Sequence, residues 1–360
     1  MRKKLFILII ILLVCETTKA QQKLRVYYSE IAKAENCVIQ NDYKSAAKHY
    51  SKAFENKDFG FKRDLWNASY SEIMSGSPNQ KNCMFYAEQI AKNYGNDIAW
   101  YWKNIENVDT IVFRYDKTLE RKDNYFLVDS IRKMIDEDQS LRRTGNADYI
   151  RQADSINILE FKQLMLTYNM FDERVIDFDE LNTLFNHWFL NFPDEQEFFL
   201  PLMKKAVFEG FMNAKNYADM EDIRFWRTED SFMSPYGTKY LSIFRTNYKD
   251  RRKTDEIKYI AFSYFDKTNK QHKQWLKTTN KQRKIIYLID VKTSAIRELK
   301  LFLQFNQETD FAKRRLFNYL PISMIMYENW QEEFENELYK NNKLQYFTND
   351  NDIDIKHKRR

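Results

Sequence analysis

The sequence predicts a mainly α-helical protein in which helical repeats are followed by a helical bundle domain and then by a mixed or helical C-terminal extension. The 360 residues include only 6 glycines and 5 prolines, too few turn formers for a β-sandwich, a β-barrel or a glycine-rich phosphate loop. Apolar residues make up 43% and aromatic residues 16% of the chain, enough for two or three domains to bury a core each.

The first twenty residues have the pattern of a secretory signal. Basic residues at 2–4 precede the apolar run Leu5–Val14, which is too short for a membrane span, since a span needs about 20 such residues. Small residues near Ala20 then favour cleavage after it, so residues 1–20 are predicted to be a signal peptide. The alternative is a lipoprotein signal that uses Cys15. Both interpretations predict an exported protein, periplasmic or secreted, with no transmembrane span and, in the second, a lipid anchor on Cys15.

Residues 21–115 are predicted to form helical repeats. One helix begins after Asp42 and follows the pattern Asp-Tyr-x-x-Ala-x-x-x-Tyr-x-x-Ala, in which small Ala46 and Ala53 let a neighbouring helix approach closely. This pattern resembles the second helix of a tetratricopeptide repeat, although the proline that usually ends such a repeat is missing. The resemblance implies a concave surface that binds another protein. A packing platform for the next domain is the alternative.

A second helix pair follows within the same region. One helix is predicted from Phe61 to Ser75, where Gly76 ends it. Ser77 and the proline after it are predicted to start the next helix, with Ser77 as its N-cap, and this helix ends at Gly95.

Residues 116–245 are predicted to form the helical bundle domain. Helices are expected over 118–143, 148–169, 178–191, 194–210 and 213–226. The last of them leads into a turn from Ser234 to Thr238, in which Gly237 is expected to have a positive φ.

Polar residues of these helices resemble the pattern of an uncharacterised bacterial domain that occurs in exported proteins, often behind tetratricopeptide-like helices. The similarity covers about 120–240 and the preceding repeat at 59–96, and its order and spacing carry it. The matching residues are Asp138-Gln139-x-x-Arg142, Asp154-x-x-Asn157, His187, Gly210, Tyr217-Ala218, Asp222 and Tyr236-Gly237-Thr238. The resemblance implies a residue set and a domain boundary, but no reaction.

His187 is the candidate catalytic residue within this set. A histidine on a core-facing helix could act as a general base if Asp222 or Asp138 orients its ring. Arg142 could then hold an anionic substrate or a developing charge.

Four further residues of the set are candidate binding residues: Gln139, Asp154, Asn157 and Tyr236. In the alternative interpretation the whole set is a buried polar network, whose members satisfy one another's hydrogen bonds and fix the packing of the bundle.

The predicted basic C-terminal extension spans 246–348 and is followed by a loose polar tail at 349–360. Lys258–Phe265 and Lys284–Val291 are rich enough in β-branched and aromatic residues for strands, although helix stays open for both. Ser294–Phe305 and Pro321–Lys340 favour helices.

The charge distribution bears on partners. Residues 245–300 contain 16 Lys or Arg against 6 Asp or Glu, whereas residues 172–197 contain 8 acidic residues against Arg174 alone. These faces could neutralise each other or be solvated, or the basic segment could bind an anionic envelope polymer or a protein partner. Export argues against nucleic acid as a partner.

Neither cofactor nor metal is predicted, because no nucleotide-binding glycine motif, HExxH or Cys/His metal spacing occurs. Cys37 and Cys83 remain after signal cleavage, and a disulfide and two unpaired thiols are both open. The sequence therefore favours an exported envelope protein of the interaction or scaffold type that uses helical repeats. A hydrolase-like enzyme with a cluster of His187, Asp222 and Arg142 is the alternative.

Overall fold

A computed structural model describes residues 2–95, 125–225, 233–238, 242–245, 259–262, 269–306 and 323–325. These residues divide into two compact units. The first contains the described residues up to Met220 together with Ile286–Leu288, and the second contains the described residues from Glu221 to Ile285 and from Ile289 onward. The predicted boundary at 115 and the predicted tail at 349–360 lie outside the described residues.

The first unit begins with four consecutive helices: α1 (Arg2–Ile39), α2 (Tyr43–Phe54), α3 (Lys62–Met74) and α4 (Gln80–Tyr94). Each packs against the next one along the chain. Ala46, Tyr50 and Ala53 of α2 are fully buried, as their helical spacing predicts. A β-carbon at Gly60 would lie 2.6 Å from the ring of Phe54, so this turn requires a glycine.

Helix α1 runs without a break through the predicted cleavage point after Ala20, and signal cleavage stays a prediction. None of the helices in the described ranges is both long and apolar enough to cross a membrane. Cys37 and Cys83 are both free thiols in the structure, and Cys83 is buried.

The bundle of the first unit is formed by α5 (Tyr125–Thr144), α6 (Ala147–Met165), α7 (Phe178–Asn191), α8 (Asp194–Phe208) and the helix α9 (Ala214–Asp222), which ends just beyond the unit. Helix α5 packs against both α6 and α7, and α7 packs against α8. Four fully buried aromatic rings lie between α6, α7 and α8: Phe161, Phe185, Trp188 and Phe199. Their edge-to-face contacts, such as Phe161 to Trp188 with centroids 5.5 Å apart, fix how these helices sit together.

Among its described residues, the second unit contains a short sheet and two helices of the C-terminal region. A 3₁₀ turn (Ile223–Phe225) is followed by β1 (Ser242–Arg245), β2 (Tyr259–Phe262), α10 (Lys270–Ile285), α11 (Val291–Asn306) and β3 (Ser323–Ile325). The strand order is β2-β1-β3, with β2 antiparallel and β3 parallel to β1. The predicted glycine turn is present, since Gly237 has a φ of 63° and a β-carbon there would lie 3.1 Å from the ring of Trp275.

The prediction of a mainly helical fold is therefore confirmed, and the C-terminal extension, predicted to be mixed or helical, contains both helices and strands among its described residues. Two local predictions are wrong, and a third segment, Lys284–Val291, was left open between strand and helix. Helix α4 is capped by Asn79 rather than Ser77. Lys284–Val291 is not a strand, because it contains the end of α10, a turn and the start of α11. Ser323–Ile325, in the stretch 321–340 expected to be helical, forms β3, and the rest of that stretch lies outside the described residues.

The N-cap of α4 gives a direct test. The side-chain oxygen of Asn79 accepts hydrogen bonds from the backbone N–H groups of Lys81 and Asn82, at 3.0 and 3.3 Å. We expect Asn79→Ala to lower the free energy of unfolding by about 1 kcal/mol in urea denaturation, because those two groups lose their acceptor. Ser77→Ala is the control and should change it by less than about 0.5 kcal/mol. A larger loss of stability in the Ser77 variant than in the Asn79 variant would indicate that Ser77 is the N-cap.

Candidate functional site

Asp138 is the central group of a polar cluster formed by α5, α6 and α7. It lies on the last turns of α5, one turn before Arg142, so the two side chains share a face of the helix. The Nε of Arg142 donates to Oδ1 of Asp138 at 2.7 Å. The side-chain amide of Gln139 donates to Oδ2 of the same carboxylate at 2.9 Å. We call Asp138, Gln139, Arg142, Asp154, His187 and Asn191 the α5–α7 cluster.

Arg142 joins α5 to α6. Its Nη2 lies 3.0 Å from both carboxylate oxygens of Asp154, which projects from the middle of α6. The side-chain amide of Asn191, at the end of α7, donates to Oδ2 of Asp154 at 3.0 Å. One guanidinium therefore bridges two carboxylates from different helices, and the second carboxylate is also tied to a third helix.

His187 completes the cluster from α7. Its Nδ1 lies 2.8 Å from Oδ2 of Asp138. The two carboxylates are sealed, with 1% of each side chain exposed, whereas the side chains of Arg142 and His187 are 23% and 27% exposed. The acids are thus inside and the tips of the two basic side chains reach the surface.

The environment sets the charge of the two acids differently. Burial by itself raises the pKa of Asp138, but hydrogen bonds from His187 and Arg142 outweigh burial and lower that pKa to about 2. For Asp154 burial prevails and raises the pKa, although Asn191 and Arg142 act in the opposite direction. Asp138 is therefore ionised at neutral pH and accepts hydrogen bonds only.

Two predicted site residues lie in the second unit and serve a turn there. The carboxylate of Asp222 accepts from the hydroxyl of Ser234 at 2.6 Å, from the backbone N–H of Tyr236 at 2.8 Å and from the N–H and hydroxyl of Thr238 at 2.9 Å. Burial raises its pKa, and these hydrogen bonds oppose the rise. The backbone carbonyl of Tyr236 accepts from Nη1 of Arg283 at 2.7 Å. Asp222 thus anchors the turn, and the residue that orients His187 is Asp138.

Asn157, the last predicted binding residue, is buried on α6 one turn after Asp154. Its side-chain nitrogen makes no hydrogen bond to the residues that the structure describes. The structure therefore brings Asp138, Gln139, Arg142, Asp154 and His187 together. Their roles in catalysis or binding stay predictions.

A second histidine–carboxylate pair provides a comparison within the chain. Nδ1 of His49 on α2 lies 2.7 Å from a carboxylate oxygen of Glu30 on α1, and the His49 side chain is 29% exposed. The difference lies in the acid. Glu30 is 10% exposed and is shared with the exposed Lys33, whereas Asp138 is sealed and shared with an arginine that reaches a second buried acid.

The structure also contains a buried charged cluster that the sequence did not predict, around Lys57 and Glu173 of the first unit. The ammonium of Lys57 donates to the carbonyl of Phe59 at 2.9 Å and lies 3.1 Å from the centroid of the Phe59 ring. Burial lowers the pKa of Lys57 well below its usual value. Glu173 accepts from the backbone N–H of Asn213 at 2.7 Å, just before α9, and burial raises its pKa to about 8. These residues lie far apart in the sequence, so no spacing could have indicated them.

No group of three or more His, Cys, Asp or Glu side chains within the described ranges is arranged to hold a metal ion. Comparison of the chain with family models, curated proteins and solved structures gave no match. The resemblance to an uncharacterised exported domain, and the tetratricopeptide-like character of the repeats, therefore stay predictions.

The pairing of Asp138 predicts a specific acid sensitivity. Its pKa of about 2 in the folded protein lies below the value of about 3.9 of an unfolded chain, so Asp138 stabilises the fold above about pH 4, and this stabilisation is lost as the pH falls towards 2. We expect Asp138→Asn to lose this acid-dependent contribution, which is about 2–3 kcal/mol. At pH 7 the variant should be less stable than wild type by about 2–4 kcal/mol. Urea unfolding across this pH range measures both.

Asp136, exposed two residues earlier on α5, provides the matched control, and Asp136→Asn should change stability by less than about 0.5 kcal/mol. If Asp138→Asn were as stable as wild type and showed the same dependence of stability on pH, the contacts of Asp138 with Arg142 and His187 would not stabilise the fold.

Glu173 predicts the opposite pH dependence. Because its pKa is raised to about 8 in the fold, its stabilising effect is complete below about pH 4 and is lost as the pH rises through 8. Glu173→Gln cannot ionise and keeps an oxygen for the N–H of Asn213. We expect this variant to gain stability relative to wild type, on the order of a few kcal/mol, between about pH 5 and pH 9.

The measurement is the difference in the free energy of unfolding between Glu173→Gln and wild type at each pH. The depressed pKa of Lys57 gives a slope of the opposite sign in both proteins. Because the charge of Glu173 opposes that depression, its removal lowers the pKa of Lys57 further, and the slope of Lys57 cancels only in part. Glu209→Gln, at an exposed position after α8, is the control and should change the free energy of unfolding by less than about 0.5 kcal/mol. A constant difference for Glu173→Gln would show that Glu173 is ionised throughout.

Proposed function

We propose that this protein is an exported hydrolase-like enzyme in which His187 is the general base and Asp138 orients it. The observation that carries the proposal is the 2.8 Å contact between Nδ1 of a partly exposed imidazole and a sealed carboxylate. A buried acid on one ring nitrogen fixes the tautomer and the plane of the ring, which leaves the other nitrogen for chemistry. Export is supported by the basic residues 2–4 and the apolar run Leu5–Val14.

The hydrogen bond to Asp138 selects the tautomer that a general base needs. Ionised Asp138 can only accept a hydrogen bond, so a neutral His187 carries its proton on Nδ1 and has its lone pair on Nε2. Nε2 can then take a proton from a water molecule that attacks a substrate. The imidazolium that forms lies beside the negative charge of Asp138, which lowers the cost of that step.

Arg142 supplies the second element of the proposal. Its Nε and Nη2 are engaged by Asp138 and Asp154, so the plane of the guanidinium is fixed while part of the group reaches the surface. A fixed and partly exposed guanidinium could bind an anionic group or stabilise negative charge that develops during hydrolysis. In this proposal Gln139 and Asn191 position the acids, and water is the nucleophile.

A second candidate is a scaffold that binds an envelope or secreted protein through the helical repeats. It is supported by the packing of α1 to α4, each on the next helix along the chain, which is how repeat proteins build an extended surface. A role for the basic segment 245–300 in binding an anionic polymer belongs to this candidate. In it, the α5–α7 cluster holds the bundle together and has no substrate.

Substitution of His187 by glutamine separates the two candidates. The side-chain amide of glutamine can keep a hydrogen bond to Asp138 but cannot take up a proton. We expect the full chain to hydrolyse p-nitrophenyl acetate, p-nitrophenyl phosphate or bis(p-nitrophenyl) phosphate, and His187→Gln to reduce kcat/KM at least about 100-fold. Its melting temperature should stay within a few degrees of wild type.

His49→Gln is the matched control, because it removes a histidine that makes the same contact with a carboxylate in another helix pair. It should keep full activity. Equal rates for wild type and His187→Gln on all three substrates would contradict the proposed enzyme activity and favour the protein-binding scaffold.

A further inference from the structure

The outward face of α6 is apolar along most of its length. Its large side chains Tyr149, Ile156 and Leu159 are 60%, 55% and 64% exposed, and Leu166, at the C-cap of the helix, is 80% exposed. Isolated exposed apolar residues need no explanation on a protein surface. Four of them on one side of one helix do, because such a stripe normally faces another element.

The spacing of this face is that of a coiled coil. Tyr149, Gln152, Ile156, Leu159, Gln163 and Leu166 follow one another at intervals of three, four, three, four and three residues, which are the a and d positions of a heptad repeat. All six are exposed. We call these six residues the α6 seam.

The seam is distinct from the face that α6 turns towards its own unit. Asp154, Asn157, Ile158 and Phe161 are buried, and Asp154 and Phe161 make the contacts to α5, α7 and α8 described above. The orientation of α6 about its own axis is therefore fixed by the bundle. The seam is left facing outward over about 25 Å, since 17 residues separate its ends at 1.5 Å each.

The order of residues in the seam is symmetric about its centre. Read from the two ends inward, the positions form three pairs with the same midpoint between Asn157 and Ile158: 149 with 166, 152 with 163, and 156 with 159. The apolar positions pair with apolar ones and the two glutamines pair with each other. A two-fold axis through that midpoint would place an identical helix, running in the opposite direction, with every layer matched.

We infer that the α6 seam binds the α6 seam of a second copy of this chain in an antiparallel arrangement. Ile156 packs against Leu159 of the second copy in the two central layers, and Tyr149 packs against Leu166 at the ends. Gln152 and Gln163 face each other between these layers, where their amides can exchange hydrogen bonds. Opposed helix directions also place the positive end of each helix beside the negative end of the other.

The residues that flank the seam fit this occupant. Positions on either side of it carry Ala153, Ser155, Glu160 and Lys162. The two-fold axis places Glu160 beside Ala153 of the second copy and Lys162 beside Ser155, so no like charges meet. Lys162 is already held by Glu195 at 2.6 Å and lies over the ring of Phe198, which keeps its charge beside the seam rather than across it.

The contact is small. Five turns of one helix against five turns of another lie at the low end of the size range for specific interfaces, so the dimer is reversible and depends on concentration. It also leaves the opposite face of α6, which carries Asp154, untouched. The inference goes beyond the proposed function and does not depend on it.

Sedimentation equilibrium of the full chain tests the association. We expect a mass that doubles as concentration rises, and a mass that stays that of a monomer for the double variant Ile156→Arg and Leu159→Arg at an unchanged melting temperature. Met74→Arg, at an exposed apolar position on α3, is the control and should dimerise as wild type does. A wild-type chain that remains monomeric at all concentrations overturns the inference, as does a dimer that survives the double substitution.

Cysteine pairs test the register and direction. In the antiparallel arrangement position 152 faces position 163 of the second copy, whereas the two copies of position 152 are offset by 11 residues, or about 16 Å along the helix, too far for a disulfide. A mixture of Gln152→Cys and Gln163→Cys should form a cross-linked dimer under mild oxidation, and each variant alone should not. The single variants also report any cross-link through native thiols. Cross-linking of Gln152→Cys with itself would indicate parallel helices and overturn the arrangement.

Discussion

The bundle depends on one buried carboxylate. Asp138 is sealed from water, and a charge removed from solvent is tolerated only where other groups replace the hydrogen bonds of water. Those groups come from its own helix, through Arg142 and Gln139, and from α7, through His187. Satisfying one charge therefore fixes the distance and the rotation of two helices.

The same requirement extends to a second acid. Arg142 neutralises Asp138 and also reaches Asp154 on α6, which Asn191 of α7 then holds from the other side. Three helices consequently share a set of charges in which no member can move alone. The aromatic layer of Phe161, Phe185, Trp188 and Phe199 supplies apolar burial and fixes ring-to-ring packing. Apolar contacts alone specify the register of the three helices less strictly than buried charges that need a partner.

The sequence could predict features that depend on neighbouring residues, but not those that depend on tertiary contacts. Helix α2 and the left-handed stop at Gly95 were predictable, because caps and apolar spacing are local. The N-cap of α4 was missed for a local reason as well. Both Ser77 and Asn79 have side chains that can cap a helix. Asn79 is the N-cap in the structure, and its backbone N–H also donates to Glu72 on α3. The contact between Asp138 and Arg142 could be predicted because the two residues are four positions apart on one helix.

The partner of His187 was left open between two acids, because the answer lies in tertiary structure. In the structure the carboxylate of Asp222 is occupied by Ser234 and Thr238, which lie 12 and 16 residues after it in the chain. The cluster around Lys57 and Glu173 could not be predicted for the same reason. Its two residues are 116 positions apart in the sequence, and neither lies in a motif. Lys284–Val291 was left open between strand and helix, because apolar composition cannot tell a strand from the boundary between two helices, where Tyr287 has a φ of 69°.

Helix α6 shows how one segment can serve two partners. A helix buried on one side should be polar on the other, and α6 instead carries Asp154 and Asn157 inward and an apolar seam outward. The inward polar groups are tolerated because Arg142 and Asn191 satisfy Asp154. Gln152 and Gln163 interrupt the apolar side chains along the outward seam. The same two glutamines limit which registers a second helix could adopt, since any shift would place an amide against an apolar side chain. The selectivity of the proposed contact would then come from these two residues.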